Sequence, residues 1–200
     1  MLPEKIVFVD IETTGLRPTR DRIIEIGIVR LEGNSIVQTY HSLINPETYL
    51  PQEITQITGI TASDVETAPL FREIKNDIFE AMNDAIFVAH NVGFDYGFLK
   101  SEFKREDITF SSSHFCTVLL SRILYPMLPR HNLETIINSF NLPYTMRHRA
   151  LDDAQVLYHL YQKMQKDIPL ERLAQTIKKT TKHPSLPLRF SERNDSKKTG

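Results

Sequence analysis

The hydrophobic patterns of the chain, taken in order, predict an α/β fold: a mixed β-sheet flanked by helices, with an antiparallel three-strand meander first. Three observations carry this expectation. Apolar and β-branched runs joined by tight turns crowd the first 44 residues. Amphipathic helical stretches dominate from residue 94 onward, and between the two lies one continuous apolar run, 85–89, that reads as a buried strand with helices on either side. Two hundred residues, 40% hydrophobic and 24% charged, suit one such domain with a core that needs no staple, followed by a tail.

The first strand contains Ile6, Val7, Phe8 and Val9, apolar without alternation, as in a strand buried on both faces. It runs into Asp10, Glu12, Thr13, Thr14 and Gly15, and the polar stretch 16–22 then turns the chain. Ile23, Ile24, Ile26, Ile28 and Val29 make a second strand, Glu32-Gly33-Asn34 a hairpin turn, and residues 36–44 a third strand ended by Pro46. A short helical turn lies between Pro51 and Thr61, broken at Gly59; Ser63-Asp64-Val65 and Pro69 introduce a helix running to about Met82. Further helices are expected at 94–105, 116–125, 132–140 and 150–166, with Pro126, Pro129 and Pro143 at the breaks. Pro169 restarts a lysine-rich helix to about Thr181. The expected division is a domain over 1–168 and a basic helix with a flexible tail or linker over 169–200.

Cys116 is the sole cysteine, so no intrachain disulfide can form, and the chain reads as a protein of a reducing compartment, the cytoplasm. Neither a signal-peptide core nor an apolar span long enough for a membrane is expected. The net charge of −1 hides an asymmetry. From Lys163 onward there are ten Lys and Arg against four Asp and Glu, leaving fourteen against twenty-one before it. An acidic body argues against broad attraction to nucleic acid, unless its negative charge is concentrated in a site that metal ions neutralise.

Asp10 and Glu12 are two apart, so on an extended strand both carboxylates leave the same face. Like charges at the mouth of a core are costly unless a cation lies between them; the plain alternative is a solvated strand exit. Asp95 shares a helix face with Leu99 and Phe103, although a first-turn acid is also favoured by the helix dipole alone. In the last motif, helix geometry chooses between adjacent aspartates. Asp153, Leu157, Leu160 and Met164 form one stripe, while Asp152 lines up with Gln155, His159 and Lys163 on a polar side. His148 lies five positions before Asp153, about 140° away on a helix of ~100° per residue, so both reach one site only if His148 precedes the helix. A loop imidazole with a pKa near neutrality suits a general base; it also fits a solvated surface histidine.

Three stretches in this order, Asp10-Ile11-Glu12-Thr13-Thr14-Gly15, His90-Asn91-Val92-Gly93-Phe94-Asp95 and His148-Arg149-Ala150-Leu151-Asp152-Asp153, resemble the DEDD superfamily of 3′-to-5′ exonucleases. The histidine five residues before the last aspartate is similar to the DEDDh (DnaQ-like) branch, that of the proofreading subunit of bacterial DNA polymerase III. The likeness covers roughly residues 5–166 and implies a ribonuclease H-like fold. It departs at Cys116, where relatives often carry an Asp that is not a metal ligand.

The resemblance implies that Asp10, Glu12, Asp95 and Asp153 hold two Mg²⁺ or Mn²⁺ ions about 4 Å apart, with His148 as general base and nucleoside 5′-monophosphates as products. It further implies that Thr13, Thr14 and Gly15 meet the terminal nucleotide, that Leu16 and Phe94 face the last bases, and that His90 and Asn91 either shape the second motif or reach a phosphate. For Leu16 and Phe94 core packing is the competing role. Single-stranded or frayed DNA 3′ ends are the expected substrate, RNA 3′ ends the alternative, and a non-catalytic polymerase-associated binding module a third reading. Oligomeric state is not legible. The tail allows several readings. Ser185-Leu186-Pro187-Leu188 is similar to peptides that grip the sliding clamp, the run also looks like a linker such as precedes a GIY-YIG endonuclease domain, and the simplest reading is a basic solvated tail.

Overall fold

In the computed structural model, which describes residues 1–184, β1 (Lys5–Thr13), β2 (Ile23–Glu32) and β3 (Ser35–Leu43) form the expected antiparallel meander. β4 (Ile86–Ala89) and β5 (His114–Cys116) continue the sheet in parallel beyond β1, giving the order β3-β2-β1-β4-β5. Eight helices accompany it among the described residues: α1 (Gln52–Thr58), α2 (Ala62–Glu66), α3 (Phe71–Met82), α4 (Gly93–Arg105), α5 (Thr117–Leu124), α6 (Leu133–Phe140), α7 (Ala150–Asp167) and α8 (Leu170–Thr180).

β1 is the middle strand, and its unbroken apolar run has the physical cause anticipated: both faces are covered. Ile6 and Phe8 pack with residues of α5, α6, α7 and α8, among them Leu120, Ile136, Leu157 and Leu173. Val7, Val9 and Ile11 point the other way, against Ile78 of α3 and Phe98, Leu99 and Phe103 of α4. The strand alternation carries Asp10 and Glu12 past the end of the Ile6 and Phe8 face, the face that α7 covers.

Three features differ from the sequence expectation in detail. The stretch from Ser63 to Met82 is two helices rather than one, because Pro69 interrupts it. α2 opens with a capping box in which the Asp64 carboxylate accepts from the Thr61 N–H at 2.7 Å, and α3 opens with the Glu73 carboxylate accepting from the Leu70 N–H at 2.8 Å. β5 is a strand that apolar periodicity could not announce: it is three residues long and merges with the helix that follows. Finally, α8 lies against the body, with Leu173 and Ile177 buried in the same cluster as Tyr161 and Met164. The chain after it bridges back to β5 through reciprocal hydrogen bonds between His114 and Lys182, His114 N–H to Lys182 C=O at 3.0 Å and Lys182 N–H to His114 C=O at 2.8 Å. The Ser185-Leu186-Pro187-Leu188 segment lies outside the described residues. Among the described residues no helix is long and apolar enough to cross a membrane.

Candidate active site

The site forms where β1 stops being apolar. Glu12 pairs across the sheet with Glu25 and Asp10 with Gly27, so the strand's last turns of pleat present two acids beside β2. Gly27 is required there: a β-carbon on it would sit 2.3 Å from the Ala150 carbonyl carbon and the Leu151 nitrogen. Its absence lets the first turn of α7 rest directly on β2. That turn delivers Asp153, 4% exposed, whereas Asp152 is only partly covered, as the helical spacing predicted. Asp95, 3% exposed, comes from the first turn of α4.

His148 precedes α7 on an exposed segment and takes a left-handed backbone, φ 59°. Histidine tolerates that conformation better than most residues. The turn brings its ring to Glu12 and Asp153, ligand atoms of the three lying within 4.8 Å of one another. Asp10 and Asp95 lie outside that trio but within its field. Burial, then the charges of Asp95, Asp153 and Glu12, push Asp10 well above the usual carboxylate range. Burial first, then Asp153 and Glu25, raise Glu12 to about 8. Burial likewise holds Asp95 well up, against backbone hydrogen bonds at Asp95 itself and Ile11, and raises Asp153 against the opposing pull of Arg147 and His148.

The substrate-facing expectations divide. Thr13 and Thr14 are buried and shape the loop after β1: Thr13 Oγ1 donates to the Gly15 carbonyl at 2.6 Å, and Thr14 Oγ1 accepts from the Arg22 N–H at 2.9 Å. Core packing is excluded for Leu16, which is 81% exposed at the tip of that loop. Phe94 is half-buried with its ring 4.9 Å from Phe98. Asn91 is exposed with φ 72°. His90 Nδ1 lies 2.9 Å from Thr117 Oγ1, while its Nε2 is buried without a hydrogen-bond partner. Burial lowers this ring to about 4, so it is neutral at physiological pH.

Sequence reasoning missed three residues. Glu25 is fully buried and accepts from His41 Nε2 at 2.7 Å, Arg149 Nε and Nη2 at 3.0 and 2.8 Å, and the Ala150 N–H at 2.9 Å. Burial pushes its carboxyl up, but Arg149, Ala150 and His41 outweigh that and keep it below its ordinary value. The signal was present, an acid inside the unalternating run Ile23–Val29, yet Arg149 and Ala150 lie 124 and 125 residues away in sequence. Arg149 lies inside the third motif, where sequence reasoning assigned it no role of its own. Arg147, absent from every motif, forms an ion pair with Asp153.

Glu12, Asp153 and the His148 ring offer a hard, mostly oxygen donor set, and desolvation together with the like charge of Asp10 and Asp95 makes the cluster short of positive charge. The residues therefore fit divalent ions of the Mg²⁺ or Mn²⁺ kind better than softer metals.

Residues 7–161 match the family model described as Exonuclease, of the RNase T type. The chain belongs to this exonuclease family. Its motifs place the exonuclease domain in the DEDDh branch. It is 36% identical over 166 residues to the PolC-type DNA polymerase III of Bacillus subtilis, a match covering 82% of this chain and 12% of the polymerase. It is also 36% identical over 147 residues to the 3′-5′ exonuclease DinG of Staphylococcus epidermidis, covering 73% of this chain and 16% of that protein. The chain thus spans a small part of the relatives it matches. Among solved structures, exonuclease X in complex with 5′ overhanging duplex DNA has a TM-score of 0.67 at 24% identity, covering 86% of this chain and 98% of that chain. The nuclease domain of 3′hExo, a DEDDh family member bound to rAMP, scores 0.70 at 20% identity, covering 83% and 94%. Both likenesses establish the ribonuclease H-like fold.

Proposed function

We propose that this exonuclease domain shortens single-stranded or frayed DNA from the 3′ end, releasing nucleoside 5′-monophosphates, with Asp10, Glu12, Asp95 and Asp153 holding two Mg²⁺ or Mn²⁺ ions and His148 as general base. The observation that carries the reading is the meeting of Glu12, His148 and Asp153 within 4.8 Å at the end of the central strand. Bound there, the ions would supply charge neutralisation for an incoming polyanion and lower the pKa of a nucleophilic water.

Everything else is done by the chain's own groups. His148, on an exposed segment yet next to two acids, would take a proton from water and pass it to solvent. The rigid Thr13 to Gly15 loop, tied to Arg22, offers a fixed backbone edge to a terminal nucleotide, and the exposed Leu16 beside it offers an apolar face to a base. Base stacking of ~1 to 3 kcal/mol per contact ignores sequence, which suits frayed ends. Because PolC-type relatives carry this domain within a polymerase, we further propose that it serves a DNA polymerase III, in the same chain or as a partner.

The test is a 5′-labelled single strand incubated with Mg²⁺ or Mn²⁺. Stepwise shortening that chelator stops is expected. Asp10→Ala should abolish it, and a wild-type rate in that variant would remove the ligand assignment. His148→Ala should retain folding but lose rate by ~10² or more, the usual worth of a general base. Matched DNA and RNA strands run in parallel decide the substrate, and faster RNA trimming would transfer the proposal to RNA 3′ ends.

A further inference from the structure

We infer that Arg147 is an exchangeable countercharge: its guanidinium sits on Asp153 until a divalent ion takes that carboxylate, and the freed group then grips a backbone phosphate of the strand being trimmed. This rests on the metal-dependent reading above and extends it to a residue outside all three motifs.

Two arginines flank His148, and the structure holds them differently. Arg149 is fixed by two hydrogen bonds to the fully buried Glu25. Arg147, partly exposed, makes its hydrogen bond and ion pair to Asp153 alone among the described residues. It belongs to a stretch without helix or strand between α6 and α7, next to the left-handed backbone of His148. One arginine anchors the start of α7, and the other is free to turn about its own side-chain bonds.

The location of Arg147 makes that freedom consequential. Its guanidinium is paired with Asp153, and its charge acts on Asp10 and Glu12 as well. One guanidinium cannot balance four clustered carboxylates, and an ion on Asp153 competes with it for the same oxygens. When displaced, Arg147 opens onto a cleft of about 430 Å³ whose walls include Asn132, Asn138 and Tyr144, with Glu134 the one acid. Amides, a phenol and a planar guanidinium fork match the donor needs of a phosphodiester. The exchange couples the two binding events: an ion that takes Asp153 releases a phosphate ligand, and by linkage a bound strand that engages Arg147 tightens the ion.

The experiment compares wild type with Arg147→Ala and Arg147→Lys, after circular dichroism has verified the fold of each. Mn²⁺ affinity is measured by calorimetric titration without nucleic acid, and KM and kcat with the labelled strand. Removal of an internal competitor should tighten Mn²⁺ roughly 5- to 10-fold in Arg147→Ala, since no occupied state has to be vacated first. The same variant should raise KM about 10-fold with kcat changed less than about threefold. Lysine, a charge without the fork, should return Mn²⁺ affinity toward wild type while leaving KM high. A merely structural arginine would not move the two affinities in opposite directions. Equal or weaker Mn²⁺ binding in Arg147→Ala, or an unchanged KM, overturns the exchange. If wild type and variants alike bind no Mn²⁺, the metal reading beneath fails and the exchange goes with it.

Discussion

Glu12 shows in one side chain why this site is unstable without a partner. Its carboxyl, ordinarily near 4.5, is raised to about 8, so folding favours the protonated form. A raised acid contributes its stability in full below its unfolded value and loses it as the pH climbs through the folded one. Asp10, Asp95 and Asp153 shift in the same direction. In chelator the melting temperature should therefore fall between pH 4.5 and about 8, and saturating Mg²⁺ should remove that fall, because ions bind the deprotonated carboxylates. A flat profile in chelator would argue against the crowding of these acids. At this scale much was legible in the sequence: the choice of Asp153 over Asp152 needed only helical periodicity, and both residues lie as the period requires. Arg147 was not legible, because a cation beside a histidine has no pattern until the loop is folded over the acids.

Among the elements, the junction of β2 with α7 decides whether the site exists. Glu25 accepts the first N–H of α7, and Gly27 leaves room for its backbone. Gly27→Ala should force the helix outward, costing roughly 1 to 3 kcal/mol by overpacking, and should reduce kcat far more than KM as Asp153 and His148 move. Glu25→Ala leaves the buried Ala150 N–H without its acceptor and the partly exposed Arg149 without its anchor, for a loss of about 1 to 3 kcal/mol by denaturant titration. If either variant turns over at the wild-type rate, α7 is not placed by this junction. The strands and helices that carry this geometry could be read from continuous apolar runs, helical period and proline breaks. β5 could not, since three residues hold no period, and neither could the Glu25 network, whose members are brought together only by the sheet.

On the scale of the whole molecule, α8 belongs to the same packing as α7. Leu173 and Ile177 are 0% and 2% exposed against Tyr161, Met164 and Leu120. A chain ending at residue 168 would expose the surface they cover, a loss of about 3 to 6 kcal/mol at ~1.5 to 3 kcal/mol per buried side chain. A chain ending at 184 keeps α8 and should melt higher than one ending at 168, and equal melting of the two would show that α8 is dispensable. The basic composition of this segment pointed to a solvated role, and its buried stripe is short enough to be hidden by the lysines around it.

One consequence follows from the distance along the chain between Asp10 on β1 and Asp153 on α7. A growing polypeptide carries the first two acids out of the ribosome long before the last aspartate and the histidine are made, and pairings so remote in sequence form late. The acid cluster is thus incomplete in every nascent chain that has not yet reached His148 and Asp153, however firmly its first strands have paired.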